Sequence, residues 1–190
     1  LFLKYIKQYK TTKMAMCNDS PSFNPNKNDY YTTKQMWENI SHLIPKDKII
    51  YEACLLNSKS KSVEYWTEMG YKCIGDKSWD CLTYKPINYD IIITNPPFEN
   101  KIKKKILSHF VRLDKPFILV MNVMNSYSKY FREIFGDNLK HLQIITPQGK
   151  IKFEVFNEET QKLEKCKDPS FYCIYLCYKM NISQEDLWLK

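Results

Sequence analysis

An α/β fold, built on a mostly parallel sheet with an antiparallel last strand, is what the sequence predicts, and three observations predict it. Short apolar runs alternate with helical segments of about ten to fifteen residues, the pattern of βαβ units. One run, Tyr89-Asp-Ile-Ile-Ile-Thr94, is isoleucine-rich without polar alternation, as in a parallel strand covered on both faces. The final two runs have no helix between them, so the last strand is expected to turn back antiparallel.

Taken in order, residues 1–29 read as a basic N-terminal arm and loop, because turn-formers fill 17–29 and isolate the residues before them. Residues 30–180 carry the domain, and 181–190 form a tail. The first helix is expected from about Thr33 to Leu43, with Thr32 or Thr33 as N-cap and Pro45 closing it. A buried strand follows over Lys48–Cys54, then a helix over Ser58–Met69 stopped at Gly70, and a short strand over Tyr71–Ile74. After the isoleucine strand come a helix over Lys101–Leu113, a strand over Pro116–Asn122, a helix over Asn125–Phe135 stopped at Gly136, and a strand over His141–Thr146. Ile151–Phe156 and Phe171–Tyr178 read as a closing β-ribbon.

Composition narrows the class. The 190 residues suffice for one domain with a substantial core, and 44% hydrophobic with 26% charged residues is ordinary globular usage. No apolar run reaches the length of a transmembrane helix, and lysines interrupt Leu1–Tyr9, leaving no signal-peptide core. The seven cysteines form no CxxC pair, and most lie in strand-like segments where a thiol packs as a small hydrophobe. The three histidines are scattered, so no metal site is expected. A reducing, intracellular setting follows, cytoplasmic or nuclear. A net charge of +8 favours a polyanionic partner, nucleic acid first.

In such sheets ligands sit beyond the carboxyl ends of strands, at the switch point. The isoleucine strand ends there in Asn95-Pro96-Pro97-Phe98. The exocyclic amine of adenine or cytosine is a poor nucleophile, because its lone pair is delocalised into the ring. Acceptors aimed at its hydrogens favour a pyramidal nitrogen. Asn95 offers a side-chain carbonyl; Pro96 offers a backbone carbonyl and no competing N–H. The double proline fixes that geometry in advance, and Phe98 gives an extruded base a face to stack on.

These four residues match the (Asp/Asn/Ser)-Pro-Pro-aromatic motif, and the chain resembles the S-adenosylmethionine-dependent amino-methyltransferases of DNA and RNA. Among them it looks most like the small adenine-specific methylase-like proteins of large DNA viruses, over about residues 30–178. The resemblance implies a Rossmann-like class I methyltransferase fold, S-adenosylmethionine as cofactor and adenine N6 as target. It assigns Asn95, Pro96 and Phe98 to catalysis, and Glu52, Asp76, Asp80, Tyr31 and Asn95 to the cofactor. Lys101, Lys103, Lys104 and Lys105, which open the helix after the motif, and Lys150 and Lys152, in a basic-x-x-Phe segment, become candidate nucleic-acid contacts.

The chain departs from the family in one place. After Glu52 a Gly-x-Gly loop is expected, yet Leu56 and Ser58 stand where the glycines should be. A rebuilt cofactor loop, weak binding or none at all remain open. There is also no room for a separate target-recognition region, which implies little sequence preference or a partner protein supplying it. Two readings stand: a methyltransferase acting on an exocyclic base amine, or a catalytically inactive methyltransferase-like subunit with a structural or nucleic-acid-binding role.

Overall fold

A computed structural model describes residues 30–55, 60–84, 86–157, 159–166, 169–183 and 185–189. The expected N-terminal arm over 1–29 lies outside these residues, as do Leu56 and Ser58.

Four parallel strands make the heart of the molecule: β2 (Ile49–Tyr51), β3 (Lys72–Ile74), β4 (Ile91–Thr94) and β5 (Phe117–Asn122), preceded in the chain by β1 (Tyr31–Thr32). β6 (Leu142–Thr146) follows them, then the hairpin β7 (Phe153–Asn157) and β8 (Lys162–Lys165), and last β9 (Cys173–Tyr178) and β10 (Leu187–Trp188). Seven of these form one sheet in the order β10-β6-β9-β5-β4-β2-β3. β2 pairs parallel with both β3 and β4, and β4 pairs parallel with β5. β9 runs antiparallel between β5 and β6. This is the Rossmann-like α/β arrangement expected, mostly parallel with one reversed strand near its end.

Among the described residues four α-helices cover the sheet: α1 (Lys34–Ser41), α2 (Ser62–Glu68), α3 (Asn100–Leu113) and α4 (Lys129–Phe135). Side-chain alternation on the strands sorts the two faces. Ile91, Ile93, Ile118, Val120, Cys173, Tyr175 and Cys177 pack with Met36, Trp37 and Ile40 of α1 and Trp66 of α2. Ile92, Phe117, Leu119, Met121, Leu176 and Tyr178 pack with Ile106, Leu107 and Phe110 of α3 and Phe131 and Phe135 of α4. Cys173 and Cys177 are thus core hydrophobes, free and buried, four residues apart on one face of β9. Among the described residues no helix is long and apolar enough to cross a membrane.

Two expectations need correction. Ile151–Phe156 and Phe171–Tyr178 do not form a ribbon together. β7 folds back on β8, and β1 pairs with the other edge of β7, making a separate three-stranded sheet while β9 enters the main one. The apolar run of Cys173–Tyr178 is buried at every position, so it belongs between two strands of the main sheet. The helix expected from Asn125 begins at Lys129, after a 3₁₀ segment over Val123–Tyr127, because the Asn122 side chain accepts from Met124 N and caps that tighter turn instead. Thr33 does occupy the N-cap of α1, but its hydroxyl donates to the Lys152 carbonyl, 3.3 Å away, tying helix to hairpin rather than capping.

Candidate active site

The sheet order sets where a site can form. From β2 the chain goes to β3 on one side and then crosses to β4 on the other, so the carboxyl ends of β2 and β4 flank the switch point. Glu52 leaves the first of these ends and Asn95 the second. Together with Tyr30, Tyr31, Cys54, Ser62, Pro96, Phe98 and Ile102 they line a cleft of about 230 Å³. Five of the residues expected from the sequence meet here: Tyr31, Glu52, Asn95, Pro96 and Phe98.

Glu52 is the floor. It is only 3% exposed. Its Oε1 accepts from the Thr94 hydroxyl, the last residue of β4, and from Cys54 N at 3.4 Å. Cys54 N also donates to Thr94 Oγ1 at 3.0 Å, so the two strand ends are laced together by side-chain bonds across the switch point. Among the described residues Oε2 is buried with no hydrogen-bond partner. Burial pushes the Glu52 carboxyl up to about 7, against the opposing pull of the Thr94 and Cys54 hydrogen bonds and of the Ser62 side chain nearby. Cys54 also donates to Cys81, in the connection between β3 and β4, with 3.8 Å between the sulfurs.

Asn95 is oriented by its amide nitrogen, which donates to the Tyr30 carbonyl at 2.9 Å. That bond fixes which way the amide faces and leaves Oδ1 buried without a donor among the described residues. An unpaired buried acceptor costs about 1–3 kcal/mol, an expense native folds rarely retain without a use.

Phe98 stands in an aromatic cluster. Its ring is 5.6 Å from Tyr30, 5.9 Å from Phe153 and 4.9 Å from Phe171, centre to centre. The loop is held from below by Lys103, whose ammonium donates to the Phe98 carbonyl at 3.1 Å. Lys103 is 5% exposed, and burial lowers its pKa. It is therefore no surface phosphate contact, contrary to expectation. Lys103, Ile106, Leu107, Phe110 and Val111 are the buried side of α3, so helical spacing already marked this lysine as belonging to the apolar stripe. Lys101, Lys104 and Lys105 are exposed, as is Lys152, while Lys150 is half-buried.

The two aspartates lie outside the cleft wall. Asp76 is exposed and accepts from Ser78 N and Oγ at 2.8 and 2.6 Å, bonds that hold its carboxyl below the usual range. Asp80 is exposed and turns its own loop by accepting from Leu82 N at 2.9 Å. Asp76 still follows directly on Gly75, where an added Cβ would stand 2.7 Å from the Glu52 carbonyl oxygen, so this loop abuts the cleft floor.

Sequence reasoning missed Thr94, Cys54, Ser62 and the carbonyl of Tyr30. Thr94 had a signal: it is the polar end of a strand buried at all four positions. The others are brought in only by tertiary packing.

No protein-family model matches the chain, and no curated protein does. Solved structures with a similar arrangement include a dimethyladenosine transferase from Plasmodium falciparum, at 10% identity and a TM-score of 0.41, over 78% of this chain and 61% of that one. The chain thus spans about three fifths of that protein's length. A precorrin-6y C5,15-methyltransferase from Geobacter metallireducens shares 10% identity at a TM-score of 0.40, covering 80% of this chain and 97% of that chain. Magnesium protoporphyrin IX methyltransferase from Synechocystis, with S-adenosylmethionine bound, shares 14% identity at 0.36, covering 76% and 79%. Likenesses this faint carry no argument about what the chain does.

Proposed function

We propose that the protein transfers a methyl group from S-adenosylmethionine to the exocyclic amine of a nucleic-acid base, with adenine N6 the target. The observation that carries this reading is the Asn95 amide. Its nitrogen is spent on Tyr30 and its oxygen is a buried acceptor with no donor. An amine hydrogen is the donor it lacks. Drawing that hydrogen toward Asn95 Oδ1 favours a pyramidal nitrogen, whose lone pair is then free to attack. The Pro96 backbone, with no N–H of its own, adds no competing donor. Phe98 closes one side of the base site.

The residues present fit the cofactor. Glu52 Oε2, buried and unpartnered in the cleft, suits a cationic amine such as that of the methionine moiety. When bound, S-adenosylmethionine supplies an electrophilic methyl on a sulfonium centre. The side chains around it orient the amine, exclude water and carry no strong base, since the proton can leave after the methyl is on. Tyr31 lines the same wall, and Asp76 and Asp80 stand on the adjoining loop for ribose and adenine contacts. Lys101, Lys104, Lys105, Lys150 and Lys152 supply sequence-independent phosphate contacts.

Two observations favour a second reading, an inactive methyltransferase-like subunit. The cleft of about 230 Å³ is smaller than the roughly 300–1,000 Å³ usual for small-molecule sites, and no glycine stands between Glu52 and Ser58. Calorimetric titration with S-adenosylmethionine and S-adenosylhomocysteine separates the two. Micromolar binding, followed by tritiated methyl incorporation into adenine-containing oligonucleotides, supports the enzyme. A folded protein that binds oligonucleotide but neither cofactor form supports the subunit. In the enzyme, Asn95→Ala abolishes incorporation, at least about a hundredfold, while cofactor affinity and circular dichroism stay unchanged. Retained turnover removes Asn95 from the role.

A further inference from the structure

Large apolar side chains left on a surface mark contact sites when they stand together. Such a group stands beside the cleft. Tyr172 is 60% exposed, Tyr127 77% and Met124 66%. Val123 N donates to the Tyr172 carbonyl at 2.9 Å, which brings the turn after β5 against the entry to β9. All three therefore sit on the carboxyl-end rim of the sheet, where the candidate site opens.

The chain alternates at this point. Phe171 turns inward and packs 4.9 Å from Phe98, and Tyr172 turns outward. Lys150 places its ammonium 5.1 Å from the centre of the Tyr172 ring, and the same ammonium donates to the Pro169 carbonyl at 3.1 Å. A cation is thus held beside an exposed aromatic face, one residue away from the cluster that contains Phe98. Flat π-faces with lysines alongside are how proteins take hold of unpaired bases and their phosphates. In a duplex the same base faces are hidden in the stack, so the rim could not reach them without extrusion.

We propose that Tyr172, with Lys150 beside its ring and Tyr127 and Met124 on the adjoining turn, is a stacking platform for a nucleotide flanking the target, so that the nucleic acid is taken as a single strand. This rests on the nucleic-acid reading of the same site. It adds the form of the substrate and three residues, Tyr172, Tyr127 and Met124, outside the motif.

Fluorescence anisotropy with a short labelled adenine-containing oligonucleotide tests it, single-stranded and annealed to its complement, without cofactor. The single strand is expected to bind more tightly. Tyr172→Ala should weaken it about five- to a hundredfold, the range of one lost base stack. Tyr172→Phe should keep the wild-type affinity, and Lys150→Ala should weaken binding and flatten its salt dependence. Circular dichroism checks each variant, and Tyr172→Phe keeps the test alive should the alanine variant misfold. Equal or tighter binding of the duplex overturns the proposal, as does Tyr172→Ala binding unchanged. So does Tyr172→Ala altering self-association in sedimentation rather than oligonucleotide binding, because the rim is then an interface between copies. Oligonucleotide binding through Tyr172 in a protein that never uses S-adenosylmethionine upholds the platform and removes the methyl-transfer reading. Methylation of oligonucleotides with Tyr172→Ala unaffected does the reverse.

Discussion

Glu52 is the residue on which stability and function pull against each other. Its carboxyl stands near 7 in the fold, against an ordinary value of 4.5. Between those two values the folded state keeps a proton that the unfolded chain has released. Unfolding free energy therefore falls as pH rises through that window, by about 1.4 kcal/mol per pH unit, and levels off above 7. Glu52→Gln removes this dependence. Urea midpoints at pH 5, 6, 7 and 8 should show the glutamine variant gaining on wild type with each step up to about 7, and ending more stable at pH 8. A constant difference between the two would mean that Glu52 is not held neutral by burial. Gly75 makes the neighbouring point. A Cβ there would meet the Glu52 carbonyl oxygen at 2.7 Å, Leu55 Cδ1 at 3.0 Å and Val63 Cγ2 at 3.1 Å. The carbonyl is backbone and cannot swing away, so Gly75→Ala should cost about 1–3 kcal/mol in urea unfolding. An alanine variant as stable as wild type would show that the loop after β2 shifts freely.

The elements divide into those that announced themselves and those that did not. β4 and β5 were legible because both their faces are buried, which leaves apolar runs with no alternation. The helix after the motif was legible for its length and for the polar and charged residues on its outer face. The β7–β8 hairpin was not: Phe153-Glu-Val-Phe-Asn157 and Lys162-Leu-Glu-Lys165 are weak, half-exposed strands, and their pairing is fixed by the turn between them and by β1. At the site, Asn95–Phe98 could be read from four adjacent residues. The Thr94–Glu52–Cys54 lacing could not, since it joins residues forty apart in sequence through tertiary contact. The clasp between α1 and the sheet was equally hidden. The hydroxyl of Tyr175, on β9, donates to the Met36 carbonyl at 2.7 Å in a fully buried setting. Tyr175→Phe keeps the ring and removes the hydroxyl with its bond to Met36, leaving that carbonyl one donor fewer. The expected loss is about 1–2 kcal/mol in chemical denaturation. A phenylalanine variant equal to wild type would show that the ring's packing alone holds α1 in place.

At the scale of the whole molecule, β9 joins two halves. It pairs with β5 along six residue pairs and with β6 along four, and its two faces feed both cores. Residues so shared should open only with the entire domain. Among the described residues the small sheet has no such anchor: β8 is paired to β7 alone, and β7 reaches the body through β1 and through Phe153, whose ring lies 5.5 Å from Tyr30 and 5.9 Å from Phe98. Native-state hydrogen exchange should therefore separate them. Amides of β4, β5 and β9 should exchange at the global unfolding free energy, with a full denaturant slope, and those of β8 through a smaller opening with little slope. The cleft tests the link between the two. Tyr30 holds the Asn95 amide by its carbonyl and Phe153 by its ring, so a ligand that settles the cleft also settles β1 and the strand beside it. S-adenosylhomocysteine at saturating concentration should slow exchange in β1 and β7 beyond the uniform gain that mass action gives the globally protected strands. Equal added protection everywhere would separate the hairpin from the site and leave Tyr30 a packing residue only.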